Sequence, residues 1–153
     1  MKKAKSKVLV IDASVAQAVG SNAPTKPLRD FLSGVLSICH QVIVSPKIKD
    51  EWKQHRSKYF THWRTSMCSR KKIKDENAPE DPDFRNNVES ISDQKKKEAM
   101  KKDIHLIEAA LAADRVIVSL DDEAKKHFHE FLSKQKIKWI NPLKDKNAIS
   151  LLD

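Results

Sequence analysis

The hydrophobic pattern is clearest in residues 103–122, where a helix, a turn and a strand follow one another. Ile104, Ile107 and Leu111 recur at i, i+3 and i+7, a spacing that places them on one face of a helix. Residues 116–118 form an uninterrupted β-branched run, which is typical of a strand buried on both faces. The segment therefore predicts one helix packed against one buried strand.

The rest of the chain repeats this alternation of strands and helices. The pattern predicts strands at 7–12, 42–45, 116–118 and 137–140, and helices at 13–19, 28–39, from 46, from about 92 (with or without a break before 103) and at 123–132. Strands that alternate with helices are typical of a parallel sheet with crossover connections. We predict a single α/β domain over 1–153, with a basic tail at 1–6, a loop at 75–91 and a C-terminal tail at 141–153.

Composition and charge narrow the class of protein. The chain of 153 residues has 30 Lys and Arg against 21 Asp and Glu, a formal net charge of +9. This excess favours a polyanionic partner such as nucleic acid, with a merely basic protein as the alternative. No apolar run approaches the ~20 residues that span a bilayer, so no membrane association is predicted. The only cysteines, Cys39 and Cys68, match no disulfide framework or metal motif, and we predict a reducing, cytoplasmic location.

Several catalytic motifs are missing from the sequence. The six histidines form no HExxH pair, and the two glycines, Gly20 and Gly34, have the wrong spacing for a Walker loop and are too few for a GxGxxG fingerprint. No GxSxG elbow supports a serine hydrolase. The apolar start is not predicted to be a signal peptide, because Asp12 interrupts it after four residues.

Four acids stand at comparable places in the predicted elements. Asp12 ends the first strand, Glu51 lies in the helix after the second, Asp103 begins the central helix, and Asp121 follows the third strand. In open parallel sheets, ligands gather outside the carboxyl ends of the strands. Carboxylates crowded there repel one another unless a cation balances them, and oxygen ligands favour Mg²⁺ or Mn²⁺. The four acids together therefore predict a divalent metal site.

Each acid also has a purely structural interpretation. Asp12 could cap the next helix, and Asp121 or Asp122 could cap the helix after the third strand. Asp103 could be a favourable charge in a first helical turn, and Glu51 one exposed acid among lysines. Between Asp121 and Asp122, we expect Asp121 to lie nearer the sheet edge and Asp122 to be the capping residue.

At these residues the sequence resembles PIN-domain proteins, some of which are VapC-related toxins. The similar segments are VLVIDAS at 8–14, VIVSPKIKDEW at 42–52 and DIHLIEAALAADRVIVSLDD at 103–122. The resemblance implies a three-layer α/β/α sandwich with a central parallel sheet and a metal-dependent ribonuclease activity. It also implies site residues at these positions: acids at Asp12, Glu51, Asp103 and Asp121, with polar support from Ser14 and Ser119.

The chain departs from the family pattern in three places. Ser119 stands where the family more often has Thr, which keeps the hydroxyl and the Thr-x-Asp spacing to Asp121. Asp122 follows directly, which leaves two acids for the fourth position. Residues 53–102 form a longer segment than the compact toxin members carry, which weakens the resemblance to a toxin.

A basic and aromatic segment at 53–74 is the predicted substrate arm. Its cations could neutralise phosphates, while its aromatic rings could stack on unpaired bases. The nucleic-acid-binding residues predicted here are Lys53, Arg56, Lys58 and Arg64, with Trp52, Tyr59 and Trp63 as candidate stacking rings. In the alternative interpretation, the segment is a helix with its aromatics in the core; Trp52 is expected there, and Tyr59 and Trp63 are left open.

The function predicted from these residues is hydrolysis of RNA by a metal-dependent endoribonuclease. Asp12, Asp103 and Asp121 would bind Mg²⁺ or Mn²⁺, and Glu51 would hold a metal-bound water or a second ion. The substrate would be single-stranded or structured RNA. Two alternatives remain open: a non-catalytic module that binds RNA or protein, and a toxin held by a small antitoxin protein. A homodimer is expected by analogy with the family alone.

Overall fold

A computed structural model describes residues 6–152 of the chain. The predicted basic tail therefore lies outside the described residues except for Ser6, as does the final residue of the predicted C-terminal tail. Five parallel strands form one sheet in the order β3-β2-β1-β4-β5. They are β1 (Val8–Ile11), β2 (Gln41–Val44), β3 (Ile73–Asp75), β4 (Val116–Val118) and β5 (Lys138–Ile140).

Helices flank this sheet in a three-layer α/β/α sandwich, as expected. They are α1 (Ala13–Ala18), α2 (Lys26–Ser37), α3 (Pro46–His55), α4 (Lys58–Ser69), α5 (Pro82–Glu89), α6 (Gln94–Leu111), α7 (Asp122–His127) and α8 (His129–Lys134). Two 3₁₀ turns add to them, Ala23–Thr25 and Ala148–Leu152. None of the helices within residues 6–152 is long and apolar enough to cross a membrane.

The central strands form because their side chains are apolar on both faces. Every residue of β4 is buried, and β1 and β2 are buried in all but their first residue. Such runs need helices on both sides of the sheet, which the intervening segments provide. The four predicted strands are confirmed to within one or two residues at each end.

The predicted loop at 75–91 is wrong, because it contains helix α5 and borders strand β3. Helix α5 begins at Pro82, a proline at the first helical position, where its missing N–H costs nothing. Its side chains Phe84 and Val88 lie one turn apart and are buried. Strand β3 has only a partly buried Ile73 followed by two exposed residues, so no hydrophobic run in the sequence predicts it. It exists because it pairs with β2 at the sheet edge.

Asp103 does not begin a helix, which corrects another prediction. Helix α6 starts nine residues earlier, after Asp93, whose side chain accepts a hydrogen bond from the backbone N–H of Lys96. Asp103 therefore lies in the middle of an unbroken helix, and its interpretation as a first-turn charge is wrong. The predicted helix at 123–132 is also divided into α7 and α8, with Phe128 between them.

Candidate metal centre

The acids predicted to form a site lie around the topological switch point of the sheet, between β1 and β4. Strands β1 and β4 are neighbours, but the chain leaves β1 toward β2 on one side and leaves β4 toward β5 on the other. The carboxyl ends of such a strand pair leave a crevice in which ligands of α/β proteins bind. Asp12 directly follows β1, and its N–H donates to the carbonyl of Val118 at the end of β4, at 2.9 Å. Ser119 and Asp121 follow β4 at the same edge.

Two serine hydroxyls orient the buried carboxylate of Asp12. The hydroxyls of Ser14 and Ser119 each donate to Oδ2 of Asp12 at 2.8 Å, and their oxygens lie 3.4 Å apart. Ser14 Oγ accepts from the N–H of Leu120 at 3.0 Å, and Ser119 Oγ accepts from the N–H of Asp121 at 3.1 Å. These bonds join the loops after β1 and β4, so the direction of the Asp12 carboxylate is determined by both strands.

Helix α3 brings Glu51 to the same region, where it meets a histidine that the sequence did not single out. The indole N–H of Trp52 donates to the carbonyl of Ile11 at 2.8 Å and ties α3 to the end of β1. Glu51 Oε2 lies 3.2 Å from Nε2 of His105 on α6, and the His105 side chain is only 10% exposed. Nδ1 of His105 is buried without a hydrogen-bond partner among the described residues. The one sequence signal for His105 is its position two residues after Asp103.

The pKa of Asp103 reflects the burial and the charges of the site. Burial and the nearby charges of Asp12, Asp121 and Glu51 together raise the pKa of its carboxyl group to about 6, against a smaller lowering effect of His105. Within residues 6–152, no lysine or arginine lies within ion-pair distance of Asp103. Three carboxylates from separate parts of the chain thus act on Asp103, and no described lysine or arginine pairs with it to offset their repulsion.

The donor chemistry of these residues suits a hard divalent ion. Within the described residues, no three His, Cys, Asp or Glu side chains are drawn together closely enough to enclose an ion by themselves. Mg²⁺ commonly uses only one or two carboxylates and keeps several waters or substrate phosphates as further ligands. Asp12, Asp103 and Asp121 offer oxygen atoms for that kind of open coordination, with Glu51 beside them. This donor set fits Mg²⁺ or Mn²⁺.

Asp121 and Asp122 occupy different environments. Asp121 Oδ1 accepts from the N–H of Ala124 at 3.0 Å and so caps α7, which corrects the expectation that Asp122 would be the capping residue. Asp122 pairs with the ammonium group of Lys144 and accepts from Nδ2 of Asn141 at 3.2 Å. These two hydrogen bonds lower the pKa of Asp122. Of the two acids, only Asp121 is among the charges that raise the pKa of Asp103.

Comparisons with known proteins identify no family for the chain. No protein-family model matches the chain. No curated protein matches it either. The resemblance to PIN domains therefore stays a prediction that depends on the residues quoted above.

The aromatic residues of the predicted substrate arm are structural. Trp52 is fully buried, and Trp63 is 4% exposed, with its indole N–H donating to the carbonyl of Leu32 at 2.7 Å. Both rings pack against Phe60, with centroid separations of 4.9 Å for Trp52 and 5.1 Å for Trp63. The expectation that Trp52 lies in the core is confirmed, and Trp63, whose role was left open, lies there too and is not available to stack on RNA bases. Tyr59 is partly buried and packs against the core.

The cations of the same segment divide into two groups. Lys53, Arg56 and Lys58 are exposed around the junction of α3 and α4. Arg64 is partly buried, and its guanidinium lies 5.7 Å from the ring centroid of Trp52, within the range of a cation–π contact. Three of the four predicted phosphate contacts thus remain free for a ligand, whereas Arg64 has a packing role of its own.

Proposed function

We propose that this protein is a divalent-metal-dependent endoribonuclease of the PIN type, acting in the cytoplasm. The observation that carries the proposal is the geometry at the carboxyl ends of β1 and β4, where Asp12 and Asp121 follow neighbouring strands and, with Glu51, act by their charges on the partly buried Asp103. A protein that only binds RNA gains nothing from four carboxylates that repel one another and would repel phosphates. A bound divalent cation turns the same arrangement into a phosphodiester-binding site.

Each side chain has a distinct role in this proposal. Asp12, Asp103 and Asp121 hold Mg²⁺ or Mn²⁺, and the hydrogen bonds to Asp12 keep its carboxylate oriented before the ion arrives. Glu51, held at 3.2 Å by His105, positions a water beside them. The metal, when bound, lowers the pKa of an attacking water and stabilises charge on the leaving oxygen. That water would add in line to the phosphorus as the P–O bond to the leaving nucleoside breaks, with its proton lost to solvent and one proton taken up from solvent by the leaving oxygen.

The substrate class follows from charge and compartment. The net charge of +9 and the exposed cations at the α3–α4 junction favour a polyanionic substrate. Single-stranded or structured RNA offers phosphates that reach an open crevice without a duplex groove to penetrate. The exposed thiols of Cys39 and Cys68 are compatible with a reducing cytoplasm, where such RNA is found.

The direct test is cleavage of a mixed RNA pool with Mg²⁺, Mn²⁺ or EDTA. We expect cleavage by the wild-type protein with either metal, none with EDTA, and none by Asp12→Asn. Asp50→Asn is the matched control, because Asp50 is an exposed acid next to Glu51 in the sequence. This variant should cleave like the wild type. Metal addition should also raise the melting temperature of the wild type but not of Asp12→Asn. Equal cleavage by wild type and Asp12→Asn would remove the acids from the mechanism.

The exposed cations at the α3–α4 junction should contribute phosphate contacts. Replacing Lys53, Arg56 and Lys58 with Gln is expected to weaken RNA binding and to reduce the salt slope of log K by roughly 0.7 per lost contact, or about 2 in all. Fluorescence anisotropy with a labelled single-stranded RNA, measured over a range of salt concentrations in EDTA, checks this. The control triple variant changes exposed lysines elsewhere on the surface: Lys26, Lys74 and Lys95. Identical slopes for the two triple variants would show that the predicted arm is only a solvated surface.

A further inference from the structure

A groove of about 510 Å³ lies between α5, α6 and the α7–α8 pair, away from the sheet. Its volume is within the ~300–1,000 Å³ range of small-ligand sites. Apolar side chains line its floor, and basic side chains line its rim. The floor includes Phe84, Val88, Met100 and Phe131, and the rim includes Lys96, Lys126, His127, His129 and Lys134.

The aromatic part of the floor is rigidly held. Phe131 stacks on Phe84 with ring centroids 4.0 Å apart and an angle of 30° between the rings, and Phe84 contacts Phe128 at 5.9 Å. Phe84 is 2% exposed and Phe128 1%, so both belong to the core. Phe131 remains partly exposed in the groove. An aromatic ring anchored in this way offers a flat, pre-ordered surface on which a nucleobase can stack.

Helix α6 connects the groove with the candidate metal centre. Lys96, Met100 and Asp103 stand at i, i+4 and i+7, so they share one face of the helix. Seven residues at ~1.5 Å each place Lys96 about 10 Å along the axis from Asp103. That separation corresponds to about three steps of a stacked nucleotide strand at ~3.4 Å each. Helix α7 provides a second connection between the two sites. Asp121 of the candidate metal centre caps its start, and His127, at its end, lines the groove.

The rim charges favour an anionic occupant. Lys96 and Lys134 make no ion pair with any described residue, and Glu130 is the one acid among the lining residues of this groove. Lys126 lies 3.6 Å from Glu123, but both side chains are about three-quarters exposed, so water screens that pair. An apolar floor beneath unpaired cations matches a ligand that carries both flat rings and negative charges.

We propose that this groove binds the bases and phosphates of single-stranded RNA, about three nucleotides from the bond that is cut. The proposal rests on the proposed ribonuclease function for the identity of the polymer. Phe131 stacks with a base, and Lys96 and Lys126 contact the flanking phosphates. Base stacking makes the site tolerant of sequence and selective for unpaired nucleotides, because paired bases present no free face.

The experiment is equilibrium binding of a labelled single-stranded RNA in EDTA, where no cleavage occurs. Lys96→Gln/Lys126→Gln is compared with Lys95→Gln/Lys125→Gln, which makes the same charge change on neighbouring positions outside the groove. The groove pair is expected to lose roughly tenfold or more in affinity and about 1.4 in salt slope, twice the ~0.7 of one contact, with the control losing less than half of each. Phe131→Leu, which keeps an apolar side chain against Phe84, is expected to weaken binding roughly fivefold or more. A duplex of the same sequence should not distinguish these variants.

The outcomes separate the groove from the proposed activity. If the groove and control pairs bind RNA equally while the wild type still cleaves with Mg²⁺, the groove proposal is wrong and the ribonuclease proposal stands. If binding depends on the groove but no metal supports cleavage, the groove stands and the activity is wrong. If the groove pair alters self-association in sedimentation velocity while its RNA affinity equals that of the control, a second copy of the chain occupies the groove and the RNA proposal is wrong.

Discussion

Replacing Asp103 with asparagine is expected to abolish RNA cleavage and, without metal at pH 7, to raise the free energy of unfolding. Cleavage is lost because one of the three proposed metal ligands becomes a neutral amide. Stability rises because the carboxyl group of Asp103, with its pKa raised from 3.8 to about 6, is ionised at neutral pH in an environment that disfavours its charge. The full shift corresponds to ~3 kcal/mol. Because Asp103 is only partly buried, solvent screening reduces the expected gain to about 1–2 kcal/mol.

The pH dependence of this gain has a definite sign. The folded-state pKa of Asp103 lies above its ordinary value, so the folded protein binds the proton more tightly than the unfolded chain does. The destabilising contribution is absent below pH ~4, grows as the pH rises from about 4 to about 6, and is complete above that window. Asp103→Asn should therefore melt at the same temperature as the wild type near pH 3.5 and at a higher temperature at pH 7, as measured by scanning calorimetry in EDTA.

Asp93→Asn is the matched control for this prediction. It makes the same chemical change at the start of the same helix, where asparagine caps about as well as aspartate. Saturating Mg²⁺ should stabilise the wild type and reverse the order of melting temperatures, because the metal binds only the intact acids. A stability gain for Asp103→Asn that is independent of pH, together with undiminished cleavage, would contradict both the electrostatic and the catalytic assignment.

Asp121→Asn is expected to reduce the cleavage rate on the order of a hundredfold or more, or ~3 kcal/mol of transition-state stabilisation. The charge of Asp121 acts on Asp103, so its removal takes one ligand from the proposed metal site. The fold should be preserved, since asparagine can still accept the hydrogen bond from Ala124 that caps α7. Loss of activity without loss of stability separates a metal-binding role from a structural one.

Asp122→Asn is the natural comparison, because it differs by one position. Its carboxylate is already engaged by Lys144 and Asn141, and it is not among the charges that act on Asp103. Its replacement should change the cleavage rate less than tenfold. Single-turnover rates at saturating metal measure both variants under conditions in which binding and product release do not limit the comparison. If Asp122→Asn were the more damaged enzyme, the assignment of the fourth acid to Asp121 would have to be exchanged.

The parallel α/β architecture could be predicted from local pattern. Buried parallel strands require continuous β-branched runs such as residues 116–118, and the helices between them require apolar stripes. Both patterns can be recognised in the amino-acid sequence. The positions of Asp12 and Asp121 could be predicted for the same reason. Each directly follows or nearly follows a strand, and all strands of a parallel sheet end at one edge.

Elements with weak local signals could not be predicted. Strand β3 is an edge strand with one partly buried apolar residue, and only its pairing with β2 makes it a strand. Helix α5 begins at a proline that also fits a loop, and burial of Phe84 and Val88 against the rest of the fold decides between the two. Asp103 was misplaced because the polar turns of α6 that precede it carry no apolar stripe, so the pattern left open whether the helix predicted from about 92 breaks before 103.

The electrostatics and neighbours of the site depend on tertiary structure alone. The contact between Glu51 and His105 joins residues 54 positions apart, and no local spacing encodes it. Whether Trp52 and Trp63 face solvent or the core depends on which carbonyls lie beside them after folding. The sequence by itself determined which carboxylates come to the carboxyl edge of the sheet, because strand ends follow from local pattern. Only the tertiary structure decided how strongly those carboxylates repel one another, because burial and distance exist only once the layers have packed.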